Sequence, residues 1–215
     1  MSTKNIFMIT GVIAIAAAAS YGLYRLTGGG SLRADRETAE RSTASVADSN
    51  GLHRIALKTN YGAIQFETYD ADAPKTVENF LKLAREGFYD DLTFHRVVKG
   101  FVIQGGDPNC SPSASSTGPC GAGGPGYAFE DELNPETASY KAGYKKGVVA
   151  MANAGPDTNG SQFFIVLEDY PLPHNYTIFG KVVKGQEIVD TIGRLSVDSN
   201  DKPLSPVVIE QVTVE

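Results

Sequence analysis

The sequence predicts a mainly β fold, a closed antiparallel barrel capped at its ends by two α-helices and preceded by an N-terminal hydrophobic helix. Three observations point there. Short runs of β-branched and aromatic residues recur along the body, separated by turn-rich linkers. Most of the 23 glycines fall after position 100, marking tight turns and close backbone approaches rather than long helices. Only two segments of the body repeat apolar residues at helical spacing. Many strands with few helices favour closure, because closure removes unpaired sheet edges. No internal repeat is visible.

The chain has 215 residues, 41% hydrophobic and 20% charged, which suits one folded core and excludes whole-chain disorder. A net charge of -6 gives no bulk attraction to phosphate backbones, so nucleic acid is not an expected partner. Three segments are expected: residues 1–26 as a signal peptide or transmembrane anchor, 27–51 as a flexible linker, and 52–215 as the folded domain. The first carries an uncharged apolar run from Ile6 to Tyr24, between Lys4 and Arg25. As a helix it would be about 28 Å long, close to the roughly 30 Å of a bilayer's hydrocarbon core. Ala17-Ala18-Ala19 before Ser20 equally fits a signal-peptidase site, and a buried helix is a third reading. Both leading readings export the body. It would be membrane-anchored with an extracytoplasmic domain, or secreted or periplasmic after cleavage. Arg25, Arg33 and Arg36 face Lys4 across the run, so the charge count does not set its orientation. The linker, GGGS followed by charged and hydroxylated residues, lacks the apolar content to repay its ordering entropy.

The body opens with IALKTNYGAIQFETY, two strands around Asn60-Tyr61-Gly62 in which Gly62 supplies a positive φ. Next, Pro74 starts a helix that presents Val77, Phe80, Leu81 and Ala84 on one face and ends by Gly87. Strands are expected at Thr93–Val97, Phe101–Gln104, Gly147–Met151, Gln162–Val166 and Ile178–Val182. A second helix over Gln186–Ile192 puts Ile188, Val189 and Ile192 on one side, and Val207–Val214 closes the chain as a strand.

Several motifs lose to their surroundings. Gly121-Ala-Gly123-Gly-Pro-Gly126 fits a dinucleotide fingerprint literally, yet no strand precedes it and no helix follows. Ser161 lacks the nucleophile-elbow turn. His53, His95 and His174 have no metal-ligand spacing, so no metal is called for. The glycosylation-like triplets at Asn109, Asn159 and Asn175 are explained by chance. Cys110 and Cys120 bracket a loop that no packing pattern would order. A disulfide would order it, stabilising by roughly 2 to 3 kcal/mol through loop closure; free thiols are the other reading.

Two runs carry more information: Phe94-His-Arg96-Val-Val-Lys-Gly100-Phe101-Val-Ile-Gln104-Gly-Gly-Asp107, and Met151-Ala-Asn153-Ala-Gly155-Pro-Asp-Thr-Asn-Gly160-Ser-Gln162-Phe163-Phe164. With Pro74-Lys-Thr-Val-Glu-Asn-Phe80 and Phe179-Gly180, they closely resemble the cyclophilin family of peptidyl-prolyl cis-trans isomerases, from about Leu52 to the C-terminus. The resemblance implies an eight-stranded antiparallel barrel with two capping helices and a substrate groove on its outer face. It implies Arg96 as the catalytic side chain, and Phe101, Val102, Phe163 and Leu172 as the proline pocket. Gln104, Ala152, Asn153 and Gln162 would hold the substrate, with Tyr176 as an aromatic wall. The implied partners are proline-containing polypeptides, the chain acting as a monomer without a cofactor. Singly, an exposed Arg is an ordinary ion-pair residue and a Phe an ordinary core residue; the joint spacing reverses that.

The chemistry is consistent with these residue types. The amide barrier of about 18 to 20 kcal/mol comes from delocalisation of the nitrogen lone pair, and twisting localises that pair. A permanently charged Arg can donate a proton to hydrogen-bond with it. The expected function is therefore isomerisation of X-Pro bonds in exported proteins, assisting their folding. A low-turnover proline-peptide binding module or tethered scaffold using the same groove is the alternative. The chain has no tryptophan, and Pro171 stands where many animal members carry one, which implies weakened cyclosporin binding. Tyr176 stands where those members carry a histidine.

Overall fold

The computed structural model describes residues 51–113 and 118–215. The expected N-terminal hydrophobic helix and nearly all of the linker lie outside them. Among the described residues no helix is long and apolar enough to cross a membrane.

β1 (Arg54–Thr59) and β2 (Gly62–Thr68) form the expected hairpin, with Thr59 paired to Gly62 and Arg54 to Glu67. The Thr59 hydroxyl donates to the Gly62 carbonyl at 2.7 Å and accepts from the Tyr61 amide at 3.1 Å, closing the turn. α1 (Pro74–Arg85) follows, burying Val77, Phe80, Leu81 and Ala84. Its N-cap residue, Ala73, has no side chain able to cap. Glu132, far along the chain, does this instead: its carboxylate accepts from the Lys75 and Thr76 amides at 3.1 and 2.8 Å. An anion there satisfies orphan N–H groups and meets the positive end of the helix dipole.

β3 (Leu92–Thr93), β4 (Arg96–Val98), β5 (Val102–Gly105), a 3₁₀ turn (Pro108–Cys110), α2 (Ala138–Ala142), β6 (Val148–Met151), β7 (Phe163–Val166), β8 (Ile178–Lys184), α3 (Gln186–Ile192) and β9 (Val208–Val214) complete the order. The strands form one curled antiparallel sheet in the order β3-β9-β1-β2-β8-β6-β7-β5-β4.

Two expectations are corrected. Instead of a closed barrel of eight strands, the described residues form nine strands, with β3 and β4 at opposite ends of the order and no ladder between them. The run expected as one strand, Thr93–Val97, breaks at Phe94-His95. Before the break the chain pairs with β9, and after it with β5. Phe94 turns its ring into the core while its amide donates to the Val207 carbonyl at 2.9 Å, so the covalent chain itself spans the seam. Three α-helices are described instead of two. α2 has no apolar periodicity, only Ser139 being buried; it starts where the Thr137 hydroxyl accepts from the Tyr140 amide and stops at Gly143, with φ of 69°.

Strand alternation splits the side chains into two layers. Val97, Ile103, Ile165 and Val149 lie opposite one another across β4, β5, β7 and β6, and all four are fully buried in the interior core. The neighbouring register row, Arg96, Gln104, Phe164 and Ala150, points to the outer face. There a second apolar cluster gathers Val102, Tyr144, Phe164, Val166 and Ile178.

Candidate active site

The outer row sets the site. Arg96 on β4 is directly opposite Gln104 on β5, and its Nη1 donates to Gln104 Oε1 at 3.3 Å. Its Nε lies 3.7 Å from Asp201 Oδ2, a partly exposed pair. Among the described residues Nη2 has no hydrogen-bond partner, so the guanidinium is held on one side and keeps donors free on the other. Gln104 Nε2 donates to Gln162 Oε1 at 2.9 Å.

Beside this polar row lies an apolar wall. Phe101, Leu172, Tyr176 and Ala152 are partly buried and pack on Val102 and Phe164. The Phe164 ring meets Tyr176 edge to face at 5.5 Å, and Phe101 lies 4.6 Å from Tyr170. Tyr176 is pinned by Tyr144, whose hydroxyl donates to the Tyr176 carbonyl at 2.8 Å and accepts from its amide at 3.1 Å. Burial pushes the Tyr144 phenol up to about 12, so it stays a neutral donor. At the far end, the Ala152 amide donates to the Gln162 carbonyl at 2.9 Å, and Asn153 Nδ2 donates to the Asn175 carbonyl at 2.8 Å.

Of the residues expected at the site, Arg96, Phe101, Val102, Gln104, Ala152, Asn153, Gln162, Leu172 and Tyr176 occupy this face or its edge. Phe163 does not. It is fully buried in the interior core, its ring centroid 5.5, 5.8 and 5.9 Å from those of Phe80, Tyr89 and Phe94. Its neighbour Phe164, one residue on and therefore on the opposite face, is the ring that reaches the outer cluster. Sequence reasoning also missed Asp107, Tyr144 and Asp201. Alternation along β7 says only that Phe163 and Phe164 face opposite ways; which of them is outside is set by the pairing with Gln104 and Ala150, and the other three residues have partners that spacing does not reveal. Pro171, in the position expected to lack the rim tryptophan, is exposed.

Cys110 and Cys120 form a disulfide. Ligand atoms of His95, Cys110 and Cys120 lie within 4.8 Å of one another, but with the sulfurs bonded to each other neither is available as a thiolate ligand. A cavity of about 170 Å³ beside the disulfide is lined by Phe94, His95, Cys110 and Pro206, and none of the site residues above borders it. The other two histidines have structural partners. His53 Nδ1 lies 2.7 Å from Asp70, and His174 stacks on Tyr140 at 4.0 Å. Ser161 is buried with its hydroxyl donating to the Gly106 carbonyl at 2.7 Å.

The chain that carries this guanidinium, the carboxamide row and the neighbouring apolar wall matches a family by both sequence and shape. Residues 54–214 match the model of cyclophilin type peptidyl-prolyl cis-trans isomerases. The chain is 43% identical over 161 residues to peptidyl-prolyl cis-trans isomerase CYP18-2 of Arabidopsis thaliana, covering 74% of this chain and 92% of that protein. It is 44% identical over 176 residues to peptidyl-prolyl cis-trans isomerase A of Mycobacterium tuberculosis, covering 74% of this chain and 90% of the relative. Among solved structures, a cyclophilin type peptidyl-prolyl cis-trans isomerase of Cryptosporidium parvum superposes with a TM-score of 0.67 at 36% identity, covering 76% of this chain and 98% of that one. The same Cryptosporidium protein, solved in the presence of the dipeptide Ala-Pro, gives 0.66 at 36% identity, over 75% of this chain and 98% of that one. The chain belongs to the cyclophilin-type peptidyl-prolyl cis-trans isomerase family.

Proposed function

We propose that this isomerase turns X-Pro bonds at the face formed by Arg96, Gln104 and Phe164, with Arg96 as the catalytic side chain. The observation that carries the reading is the outer register row. It sets a partly exposed guanidinium in the same row as Phe164, whose ring belongs to an apolar wall with Val102, Leu172 and Tyr176. The proline ring rests on Phe164, Val102, Leu172 and Tyr176, and Gln104 with the backbone near Ala152 and Asn153 fixes the preceding peptide, so one side of the bond is held while the other turns. The planar imide nitrogen is a poor acceptor; at the twisted midpoint its lone pair localises, and a free Arg96 N–H donates to it. That bond is strongest in the transition state, which is the condition for lowering the barrier. Lowering it by about 7 kcal/mol accelerates isomerisation roughly 10⁵-fold. The Ala-Pro dipeptide of the Cryptosporidium relative supports proline-containing chains as substrates.

Replacing Arg96 with Ala tests the assignment. The expected loss in kcat is about 10²- to 10³-fold, the usual worth of one preorganised donor, with Pro-peptide affinity changed only a few-fold. Undiminished turnover in the variant would defeat the role. A wild-type protein that binds Pro peptides but does not accelerate their exchange would instead be the low-turnover binding module.

The biological setting is part of the same reading. The apolar run Ile6–Tyr24 supports an exported domain acting on exported chains, either tethered to the membrane or released by cleavage. Amino-terminal sequencing with membrane fractionation separates the two. A start near Ser20 in the soluble fraction marks a signal peptide, and retention of the first residues in membranes marks an anchor.

A further inference from the structure

We propose that the loop closed by Cys110–Cys120 positions Arg96, with Asp107 as its anchor, and that opening the disulfide lowers turnover without lowering peptide affinity. The proposal rests on reading Arg96 as the catalytic group.

Asp107 is a fully buried carboxylate with no ion pair to a Lys or Arg among the described residues. It is satisfied by N–H donors instead. Oδ1 accepts from the Asn109 amide at 2.7 Å; Oδ2 accepts from the Gly121 and Gly123 amides at 2.6 and 2.9 Å and from Gln162 Nε2 at 3.3 Å. The backbone donors come from both arms of the loop: Asn109 stands just before Cys110, and Gly121 just after Cys120. Asn109 Nδ2 also donates across the arms to the Pro119 carbonyl at 3.3 Å. Gly123 approaches so closely that a Cβ there would lie 2.1 Å from Asp107 Oδ1.

The same two arms, flanking the disulfide, fix the orientation of two carboxamides. Gln162 Nε2 faces only acceptors: Asp107, the Gly121 carbonyl at 3.2 Å and the Gly123 carbonyl at 2.9 Å. A flipped Gln162 would set its own oxygen against all three, so its NH₂ must face the loop and its Oε1 must face Gln104. Gln104 must then present Nε2 to Gln162, leaving Oε1 as the atom that accepts from Arg96. Acceptors on the two arms that the disulfide ties together, Asp107 before Cys110 and Gly121 and Gly123 after Cys120, thereby dictate that an acceptor meets the guanidinium, through two amides of fixed polarity. Among the described residues, Asn109, Gly121 and Gly123 belong to no strand of the sheet. Once a dithiol reductant has delivered two electrons and two protons to the sulfur–sulfur bond, giving two thiols and the reductant's own disulfide, Gly121 and Gly123 are no longer tied to Cys110. Both amides then lose their enforced orientation, and a flipped Gln104 turns donors toward Arg96.

Isomerase kinetics of the full chain, oxidised and reduced by a dithiol with thiols counted, test this with an Ala-Pro peptide of defined length. Reduction is expected to lower kcat roughly ten- to a hundredfold, as for misplacement of a catalytic group by about an ångström, with KM within about twofold and recovery on reoxidation. The side-chain amide resonances of Gln104 and Gln162 should move with the redox state. The variant C110S/C120S should show the lowered kcat under both conditions. Gly123→Ala, which displaces Asp107 while leaving the disulfide intact, should show the same loss and covers the case in which the reduced chain unfolds. Equal kcat in the oxidised and reduced forms, or in folded Gly123→Ala, overturns the coupling. Arg96→Ala separates the two ideas. If it lowers turnover while reduction does not, only the coupling fails; if it leaves turnover intact, the reading of Arg96 fails.

Discussion

Alanine at Phe163 and alanine at Phe164 should have opposite consequences, although the two residues are adjacent and both are buried. Phe163 is enclosed by Phe80, Tyr89 and Phe94, with no exposed surface. Its truncation leaves a cavity that rigid rings cannot refill, so the cost should sit at the high end for Phe→Ala, about 5 kcal/mol. For a domain of this size that lowers the melting temperature by about 10 to 20 °C. Phe164 borders Leu172 and Tyr176, both partly open to solvent, so neighbours and water can refill its space and the cost falls near 3 kcal/mol. Its functional cost is larger. A proline that loses an aromatic floor forfeits about 1.5 to 3 kcal/mol of apolar contact, or about ten- to a hundredfold in kcat/KM. Thermal denaturation and exchange kinetics on a Pro peptide, run well below both transitions, measure the two quantities. Phe163→Ala should keep kcat/KM within about threefold per folded molecule. If it loses more activity than Phe164→Ala, the assignment of faces on β7 is wrong.

Two further outcomes follow from the surroundings of the site. Tyr144→Phe deletes both hydrogen bonds to Tyr176 with almost no change of volume; it should cost about 1 to 2 kcal/mol in denaturant unfolding and raise KM for peptide, and an unchanged KM would remove Tyr144 from any role in the groove. His95 has its pKa lowered, mainly by burial, with Arg96 and Lys202 adding to the effect and Asp107 and the Thr93 carbonyl opposing it. The unfolded chain therefore takes up this proton first. Stability is fully present above the unfolded-state value near 6.5 and is lost as pH falls below it, so denaturation midpoints should drop from about pH 7 to pH 5 and drop less in His95→Gln. Parallel curves would refute that.

How far the sequence reveals this molecule depends on the range of each interaction. The β1–β2 hairpin, α1 and α3 are written locally, in turn residues, Pro74 and the spacing of Val77, Phe80, Leu81 and Ala84, and all three form where expected. The motif residues around Arg96 and Gln162 also converge, because β4, β5 and β7 are neighbours in the sheet. Phe163 shows where local reading stops. Every residue of β7 is buried, so its hydrophobic pattern does not say which face is which; only pairing with Gln104 on one side and Ala150 on the other puts Phe164 outside. Glu132 capping α1, and Asp107 reaching past its local bond with Asn109 to the Gly121 and Gly123 amides, depend on partners 14 to 57 residues away, at which no short-range spacing rule operates. The seam at Phe94-His95 is likewise decided by which edges the flanking residues reach.

A crystal structure of the chain with a proline-containing peptide bound most directly tests where the reaction takes place. The proline ring should lie on Phe164 and Tyr176, with an Arg96 N–H free to reach the prolyl nitrogen at about 2.7 to 3.2 Å as the bond twists. A peptide seated on another face, or a guanidinium locked against Asp201 beyond reach of that nitrogen, would contradict it.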